Sequence, residues 1–407
     1  MSWLRKPLAQ VADLCLGKML DEKKNKGDPM PYLANVNVRW GEFDLDSLRE
    51  MRFEPNELDR YGLKHGDIVM CEGGEPGRCA IWKDEVPGMM IQKALHRIRP
   101  GEELDYRFLY YSFLYKGRND GFSGLFTGST IKHLPGQNLA KVEVRYPSRP
   151  EQERIADTLS AYDDLIENNR RRIKLLEESA RLLYREWFVH LRFPGHEHVK
   201  VVDGVPVGWE RKFVPDLIAI NPKERIERGK EAWYVPMAAL SETGMTVDRG
   251  DFERRTVHTT VKFRTNDVLL ARITPCLENG KTGFVYFLDE GDIACGSTEF
   301  IVLRGTSVSP YFVYCLARTY DFREHAIKSM IGSSGRQRVQ VGCFDEYWVA
   351  LPPSSQLSEF DGSVAPMFKQ IAVLDQQIER LGQARDLLLP HLMSGDVVSS
   401  TESLEAT

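Results

Sequence analysis

The sequence lacks the cysteine patterns that indicate a disulfide framework or a zinc site. Its seven cysteines are scattered, and none belongs to a Cys-x-x-Cys pair: Cys15, Cys71, Cys79, Cys276, Cys295, Cys315 and Cys343. An odd set of this kind fits a reducing compartment. No apolar run approaches the roughly 20 residues that a bilayer span needs, and the first residues carry no apolar signal-peptide core. We therefore expect a cytoplasmic protein with no metal site and no membrane contact.

The sequence also lacks a basic excess. Lys and Arg number 54 against 59 Asp and Glu, which gives a formal net charge of −5. Proteins that coat nucleic acid usually carry a positive charge, so the composition argues mildly against that class. Local basic surfaces on a nearly neutral body remain compatible with this balance.

Complete catalytic motifs are absent as well. Residues 275–282, PCLENGKT, end like a phosphate-binding loop, but Pro275 replaces the required glycine and a β-like run follows, so we interpret them as a turn. Residues 28–32, DPMPY, resemble the Asp/Asn-Pro-Pro-Tyr motif of adenine methyltransferases, but Met30 breaks the motif and a plain loop is expected. The histidines within 190–198 lack metal-ligand spacing on a helix, which favours a solvated turn.

What the sequence does contain is an internal repeat with a separation of about 205 residues. Residues 150–191 and 356–393 carry seam positions at alternating steps of four and three, which is the 3.5-residue period of a coiled coil. The first seam consists of Ile155, Leu159, Tyr162, Ile166, Asn169, Ile173, Leu176, Ala180, Leu183 and Trp187. The second consists of Phe360, Val364, Met367, Ile371, Leu374, Ile378, Leu381, Arg385, Leu388 and Leu392. We expect the two polar breaks, Asn169 and Arg385, to lie near each other and fix the helix register.

The repeat extends upstream of both helices. Residues 66–69 correspond to 266–269, and each segment reads as a turn that leads into an apolar strand. Residues 105–109 correspond to 310–314, and each segment predicts the start of a short amphipathic helix. Residues 148–151 have the spacing of a capping box at the start of the first long helix.

A small polar and basic segment occurs at the same place in both copies, GSTIKH at 128–133 and SSGRQR at 333–338. Small hydroxyl residues and exposed amides suit phosphate contact, while Lys, Arg and Gln suit phosphates or base edges. The residues that we predict to contact nucleic acid are Ser129, Thr130, Lys132, His133, Ser333, Ser334, Arg336, Gln337 and Arg338. The alternative is a pair of polar turns with solvated charges.

Acidic neighbours balance the basic run at 170–174, which we interpret as a solvated flank of the helix.

The predicted fold class is α+β, with two similar mixed α/β heads joined by two long antiparallel coiled-coil helices in a pseudo-two-fold internal repeat. The predicted boundaries are 1–149 for the first head, 150–192 for the first helix, 193–353 for the second head, 354–396 for the second helix and 397–407 for a tail. A helix of about 36 residues spans roughly 54 Å, so helix length is expected to set the distance between the heads.

The longest recognisable segments lie in and beside the two helices. The first helix region contains PEQERI at 150–155, DDLIENN at 163–169 and LLYREWF at 182–188. VPVGW at 205–209 opens the second head, and the second helix contains QQI at 376–378 and LLLPHLMSG at 387–395. Together with the layout of two heads, each followed by a long helix, these segments resemble the specificity subunit of type I restriction–modification systems, and the resemblance covers nearly the whole chain. The second helix departs from the family at SSQLS, 354–358, where a more charged start is usual.

The resemblance implies two target-recognition domains, each reading one half of a split site in double-stranded DNA, with the helices acting as a ruler for the spacer. It also implies two methylation subunits that flip and methylate an adenine with S-adenosylmethionine, and restriction subunits that use ATP and Mg²⁺. The assembled complex would be an adenine-N6 DNA methyltransferase and an ATP-dependent endonuclease. This chain would be non-catalytic and would hold no cofactor itself.

Two alternatives remain open. A coiled-coil scaffold whose heads bind proteins would explain the helices but not the paired polar loops. A recognition subunit of another bipartite-site restriction system would share the mechanism and differ mainly in its partner proteins.

Overall fold

The computed structural model describes the chain in four stretches, residues 3–21, 25–257, 259–333 and 335–395. The chain divides into two compact units. The first unit combines Met1–Ile166 with Arg380–Thr407, and the second is Glu167–Glu379. The predicted tail, 397–407, lies outside the described residues.

The first unit is built on an antiparallel four-stranded sheet and a smaller three-stranded sheet. Its strands are β1 (Leu4–Pro7), β2 (Ala12–Leu16), β3 (Asp28–Leu33), β4 (Arg49–Phe53), β5 (Ile68–Cys71), β6 (Cys79–Ile81), β7 (Met90–Ile91), β8 (Leu95–Pro100) and β9 (Glu143–Tyr146). Its short helices are α1 (Leu58–Tyr61), α2 (Tyr106–Arg118) and α3 (Gly136–Leu139). The larger sheet has the order β2-β8-β5-β6, the smaller one β4-β3-β7, and β1 pairs with β9. Phe108 and Phe113 of α2 pack with Ile68 and Ile98 of the larger sheet in one apolar core.

The long helix α4 (Arg149–Tyr184) follows β9 and contributes to both units. The second unit then repeats the two-sheet arrangement. Its strands are β10 (Val201–Val202), β11 (Val205–Pro206), β12 (Glu210–Phe213), β13 (Ile218–Ile220), β14 (Ala232–Val235), β15 (Glu253–Arg255), β16 (Val261–Arg264), β17 (Val268–Ala271), β18 (Thr282–Phe284), β19 (Ile293–Gly296), β20 (Phe300–Gly305) and β21 (Trp348–Leu351). Its short helices are α5 (Val214–Leu217), α6 (Pro310–Ala317) and α7 (Tyr320–Lys328), and α8 (Ser354–Ser394) ends the described chain.

The sheets of the second unit have the orders β13-β20-β17-β18 and β15-β14-β19-β16, while β12 pairs with β21. This arrangement matches that of the first unit strand by strand, with β16 as an addition to the smaller sheet. In both units the smaller sheet combines an antiparallel pair, β3–β4 or β14–β15, with a parallel pair, β3–β7 or β14–β19. The predicted pair of similar mixed heads is therefore confirmed.

The two predicted turn-to-strand segments are confirmed as the starts of β5 and β17. Each carries a buried aspartate, Asp67 or Asp267, just before the strand. Asp67 binds Arg99 at 2.7 Å and Asp267 binds Arg304 at 2.6 Å, in both cases from the neighbouring strand. Removal of one partner leaves a buried charge without compensation, so breaking such a pair lowers the free energy of unfolding by about 3–5 kcal/mol.

The plain loop expected at 28–32 is wrong, because these residues form β3. Two prolines discourage a strand, since proline donates no ladder hydrogen bond. Here the pairing with β7 involves only Tyr32 and Leu33, so at Pro29 and Pro31 the strand has a neighbour on one side alone, β4. Alternate prolines are tolerated at such a half-free edge.

The predicted amphipathic helices are present as α2 and α6, with a shift of one residue. Asp105 caps α2 by accepting from the N–H groups of Arg107 and Phe108, and Ser309 caps α6 by accepting from Phe312. The two caps are separated by 309 − 105 = 204 residues. Asp105 therefore corresponds to Ser309 and not to the next residue along.

Both long helices are confirmed, with small differences at their ends. Helix α4 gives way to a single π-helical turn at Arg185–Val189, and α8 begins at Ser354, two residues before the seam segment at 356–393. The predicted capping box is wrong, because the Glu151 carboxylate binds Arg154 at 2.7 Å on the helix surface. Residues three apart lie on one helix face, and that local ion pair competes with the backward reach that a capping box needs.

Within the second unit the two helices run antiparallel. The rings of Tyr184 and Phe360 lie 6.0 Å apart, and Asn169 Nδ2 donates to Gln377 Oε1 at 3.3 Å, so rising numbers on α4 meet falling numbers on α8. The seam positions Ile173, Ala180, Phe360, Val364, Ile371 and Leu374 are buried.

The polar breaks do not have the predicted partners. Asn169 bonds to Gln377, whereas the Arg385 guanidinium bonds to Asp163 of α4 and to Asp386. A guanidinium taken out of water needs a carboxylate partner, and a neutral amide such as Asn169 cannot supply that charge. Each break thus has its own partner, and the prediction that the two breaks lie together is wrong.

Candidate nucleic-acid interface

The first predicted contact segment forms a closed hairpin loop, residues 127–133, here called loop 1. Thr127 and His133 exchange backbone hydrogen bonds of 2.8 and 2.9 Å at its base. Gly128 has φ of 92°, and a Cβ there would lie 2.2 Å from the Ile131 carbonyl oxygen. Only glycine fits this position, so the loop conformation depends on Gly128.

The second segment forms a matching loop, residues 331–338, here called loop 2. Ile331 and Arg338 exchange backbone hydrogen bonds of 3.1 and 3.0 Å at its base. A β-bridge joins Arg338 to Ile273, as another joins His133 to Gly73 in the first unit. The two loops are therefore held in the same way against equivalent segments of the two heads.

Loop 2 contains one residue more than loop 1, and the alignment of the two sequence repeats does not include this insertion. In loop 1 a glycine, Gly128, directly follows the first paired residue, Thr127, and in loop 2 Gly332, which has φ of 142°, directly follows Ile331. Gly128 therefore corresponds to Gly332, and loop 2 is longer by one residue. The direct pairing of Gly128 with Ser333 is wrong at that position.

The predicted contact residues differ in exposure. Those that are exposed are Ser129, Thr130, Lys132, His133, Ser333 and Arg336. Gln337 and Arg338 are half-buried at the base of loop 2, and Ser334 lies outside the described residues. The described residues of both loops thus present a small polar and basic surface.

Arg338 is held by an ion pair. Its guanidinium donates to both oxygens of Glu299, with the shortest contact at 2.7 Å. This carboxylate raises the pKa of Arg338. Glu299 therefore fixes the orientation of the Arg338 guanidinium. In the described part of the chain, neither Arg336 nor Lys132 has such a carboxylate partner.

An open groove of about 560 Å³ lies beside loop 1. Loop 1 supplies Thr130, Ile131 and Lys132 to its wall, and Trp40 faces it. The Trp40 ring lies directly on Gly117 of α2, where a Cβ would come within 2.6 Å of the indole. Sequence reasoning missed Trp40, although the Trp-Gly pair at 40–41 is typical of a turn that can present an aromatic ring.

The smaller sheet of the second unit carries a second missed group. The Arg254 guanidinium stacks 3.8 Å from the Trp233 ring centroid, and Arg255 stacks 3.3 Å from that of Tyr234. Arginine planes stacked on aromatic rings can keep a donor edge for phosphates or base edges, although Arg255 also donates from Nε and Nη2 to Glu253 at 2.9 and 2.6 Å. The signal in the sequence is two adjacent aromatics in one strand with two adjacent arginines in the next.

A buried histidine anchors loop 1 from below. His96 of β8 bonds through Nε2 to the Leu134 carbonyl oxygen at 2.8 Å, directly after the loop. Burial lowers the pKa of His96, although the Leu134 carbonyl opposes that effect. The imidazole therefore supports the loop as a neutral donor.

A buried carboxylate fixes the second head to α4. Glu177 accepts from the Tyr314 hydroxyl at 2.6 Å and from the Met245 N–H at 2.8 Å. Burial and the Glu177 charge hold the pKa of Tyr314 well above its usual value, so the hydroxyl stays a donor. The head and its helix segment are thereby joined by directional bonds as well as by apolar packing.

Within the described ranges, no group of three or more His, Cys, Asp or Glu side chains could hold a metal ion. Among the helices of the described residues, none combines the length and the apolar character needed to cross a bilayer.

Comparison with known proteins identifies related chains over the full length. Residues 2–178 match the family model of the type I restriction modification DNA specificity domain. The MjaIX specificity subunit of Methanocaldococcus jannaschii is 26% identical, over 97% of this chain and 93% of the relative. The putative type I specificity subunit S.MgeORF438P of Mycoplasma genitalium is 25% identical, over 100% of this chain and 97% of the relative.

A solved structure shares the fold. The crystal structure of the type I restriction–modification system S subunit from M. genitalium superposes with a TM-score of 0.56 at 15% identity, over 96% of each chain. The family match over residues 2–178, the end-to-end relatives and the common fold agree with one another, and the chain is similar over its length to type I restriction–modification specificity subunits.

Proposed function

We propose that the chain is the DNA-recognition subunit of a type I restriction–modification complex in the cytoplasm. Each head reads one half of a bipartite site in double-stranded DNA, and α4 and α8 set the spacer between the halves. Two methylation subunits, which use S-adenosylmethionine, dock on the helices, and restriction subunits that use ATP and Mg²⁺ join the full complex. The chain itself supplies recognition and no catalytic step.

The observation that carries this proposal is the pair of loops 1 and 2. Both are closed by the same two-residue backbone pairing and bridged to the same place in each head. Their tips nevertheless differ in length and in side chains, with Lys132 in one and Arg336 in the other. A common scaffold that presents different polar tips suits two readers of two different half-sites.

The test replaces residues 1–149 with the corresponding head of a related specificity subunit and maps methylated adenines in the host genome. One half of the methylated motif should change while the other half and the spacer stay the same. Fluorescence anisotropy of the full chain with the methylation subunit, on specific and random duplexes, provides the direct binding measurement. Changes in both halves would contradict the assignment of one half-site to each head, and no duplex binding at all would support the protein-binding scaffold instead.

A further inference from the structure

Two arginines of the second unit, Arg318 and Arg323, converge on one turn, and the positive charge of a third, Arg181, acts on Arg323. Arg318 lies at the end of α6, Arg323 in α7 and Arg181 on α4. A Cβ on Gly280 would lie 2.7 Å from Nη1 of Arg323 and 3.7 Å from Nη1 of Arg318. Both guanidinium groups therefore reach the turn at 275–281.

Arg318 has a structural role at this place. It donates to the carbonyl oxygens of Gly280 at 2.6 Å, Thr243 at 2.8 Å and Glu242 at 3.3 Å. These three contacts join two loops, but they are contacts with neutral groups. The positive charge of Arg318 therefore stays uncompensated by any carboxylate in these bonds.

Arg181 shares its carboxylate with other donors. Its guanidinium lies 3.8 Å from Glu177, which already accepts from Tyr314 and Met245. The nearby Glu242 carboxylate accepts from the Asn279 side chain. Both acids are thus engaged by other groups as well.

Arg323 is the unsatisfied member of the group. It is half-buried, and in the described part of the chain its guanidinium forms neither an ion pair nor a hydrogen bond. Burial lowers its pKa, and the positive charges of Arg318 and Arg181 lower it further. A half-buried cation beside like charges costs stability unless an anion joins it.

The turn beneath these arginines is bonded to loop 2. The Thr274 N–H donates to the Gln337 carbonyl at 3.0 Å, and the Gln337 N–H donates to Thr274 Oγ1 at 3.1 Å. The arginine group and the predicted base-reading loop are therefore neighbours within one head. A guanidinium fork matches the geometry of phosphate oxygens.

We propose that Arg323, supported by Arg318 and Arg181, binds a phosphodiester of the DNA backbone beside the bases that loop 2 reads. This inference rests on the proposed function and adds a contact site to it. Such a contact fixes the register of the head on the duplex and carries no sequence information itself. The turn at 275–281, which ends like a nucleotide-binding loop, then contributes to phosphate binding only by placing two arginines.

The test compares Arg323→Gln and Arg323→Lys with the control Lys328→Gln in the full chain. Lys328 is an exposed cation on the same helix and is already paired with Glu324 at 3.1 Å. Arg323→Gln should weaken binding of specific and random duplexes alike, on the order of fivefold, and lower the salt slope by roughly 0.9. Arg323→Lys should retain part of the affinity, and Lys328→Gln should bind like the wild type.

Melting temperature separates this contact from a structural role. Removing an unpaired cation should leave the melting temperature of Arg323→Gln unchanged or higher, whereas a structural arginine would lower it. The inference is overturned if Arg323→Gln binds DNA like Lys328→Gln, or if lost affinity accompanies a lower melting temperature. It is equally overturned if inorganic phosphate stabilises the wild type but not Arg323→Gln while DNA binding is the same. A wild-type chain that binds no duplex would instead remove the proposed function.

Discussion

At the residue scale, the cations of the two loops are not equivalent. Arg338 is bound to Glu299 at the base of loop 2, while Arg336 and Lys132 are exposed near the tips. A side chain already held by a carboxylate loses that partner if it turns to DNA. The exposed pair can form new contacts without such a loss.

We predict that Arg336→Ala weakens binding of the specific duplex by about 1–3 kcal/mol and relaxes selection at one base position. Lys132→Ala should have the same kind of effect on the other half-site. Anisotropy titrations at two salt concentrations measure both variants, and circular dichroism checks that the fold is intact. Unchanged affinity in a folded variant would return these residues to the solvated-turn interpretation. Arg338→Ala is the matched comparison, since its first effect is to release Glu299.

His96 makes stability depend on pH. Its pKa is lower in the folded protein than in the unfolded chain, so the unfolded state binds more protons as the pH falls below about 6.5. The stabilisation is fully present above the unfolded pKa and is lost as the pH falls towards the folded pKa. We predict that the melting temperature decreases as the pH falls from 7.5 to 5.5. The full loss of unfolding free energy is about 1.4 kcal/mol for each unit by which folding lowers the pKa of His96.

The variant His96→Gln keeps a donor for the Leu134 carbonyl and removes the titration. Its melting temperature should vary less over this pH interval than that of the wild type, as measured by thermal denaturation in matched buffers. Identical pH profiles for the two proteins would show that other groups cause the dependence.

At the element scale, the sequence predicts the helices that have a strong hydrophobic period, and it misses the strand and the loop whose structure depends on pairing with another segment. The long helices were predictable because a 3.5-residue seam sustained over ten positions is specific for coiled-coil helices. Strand β3 was not, because its prolines are tolerated only through the one-sided pairing with β4. The extra residue in loop 2 was likewise invisible, since an ungapped alignment pairs Gly128 with Ser333 and only the backbone pairing shows the shift.

Substitution of the two polar seam residues, Asn169 and Arg385, by leucine should change thermal stability in opposite directions. Asn169→Leu removes a neutral bond to Gln377 and should raise the melting temperature, because an apolar seam residue is more stable there. Arg385→Leu leaves Asp163 without its cation and should lower stability by about 1–3 kcal/mol, a value reduced for the partial exposure of that carboxylate. Thermal denaturation of both single variants measures this. A rise in both would show that the ion pair of Arg385 costs more in desolvation than it contributes.

At the scale of the whole molecule, both helices pass from one compact unit to the other. The crossing points are Ile166 to Glu167 on α4 and Glu379 to Arg380 on α8. The predicted domain boundaries at 149, 192 and 353 mark instead where heads meet helices, and they stay predictions. Contact residues were harder to predict than the architecture, because Arg323 becomes a candidate only through Gly280 and Arg181, which are distant in sequence.

Under the proposed function, inserting four residues at both crossing points should lengthen the preferred spacer without changing either half-site. Four helical residues add about 6 Å, which corresponds to roughly two base-pair steps along the duplex. Methylation mapping on a library of spacer lengths measures the shift. An unchanged spacer together with an altered half-site would contradict the ruler.

The first unit is assembled from two segments that are distant in the chain, and its apolar core includes Leu389, Leu392 and Met393 of α8. Because these α8 residues follow Glu167–Glu379 in the chain, the whole second unit is synthesised before the first unit can complete its core. The first unit therefore completes its apolar core only after α8 has been synthesised, because three of its core side chains belong to that helix.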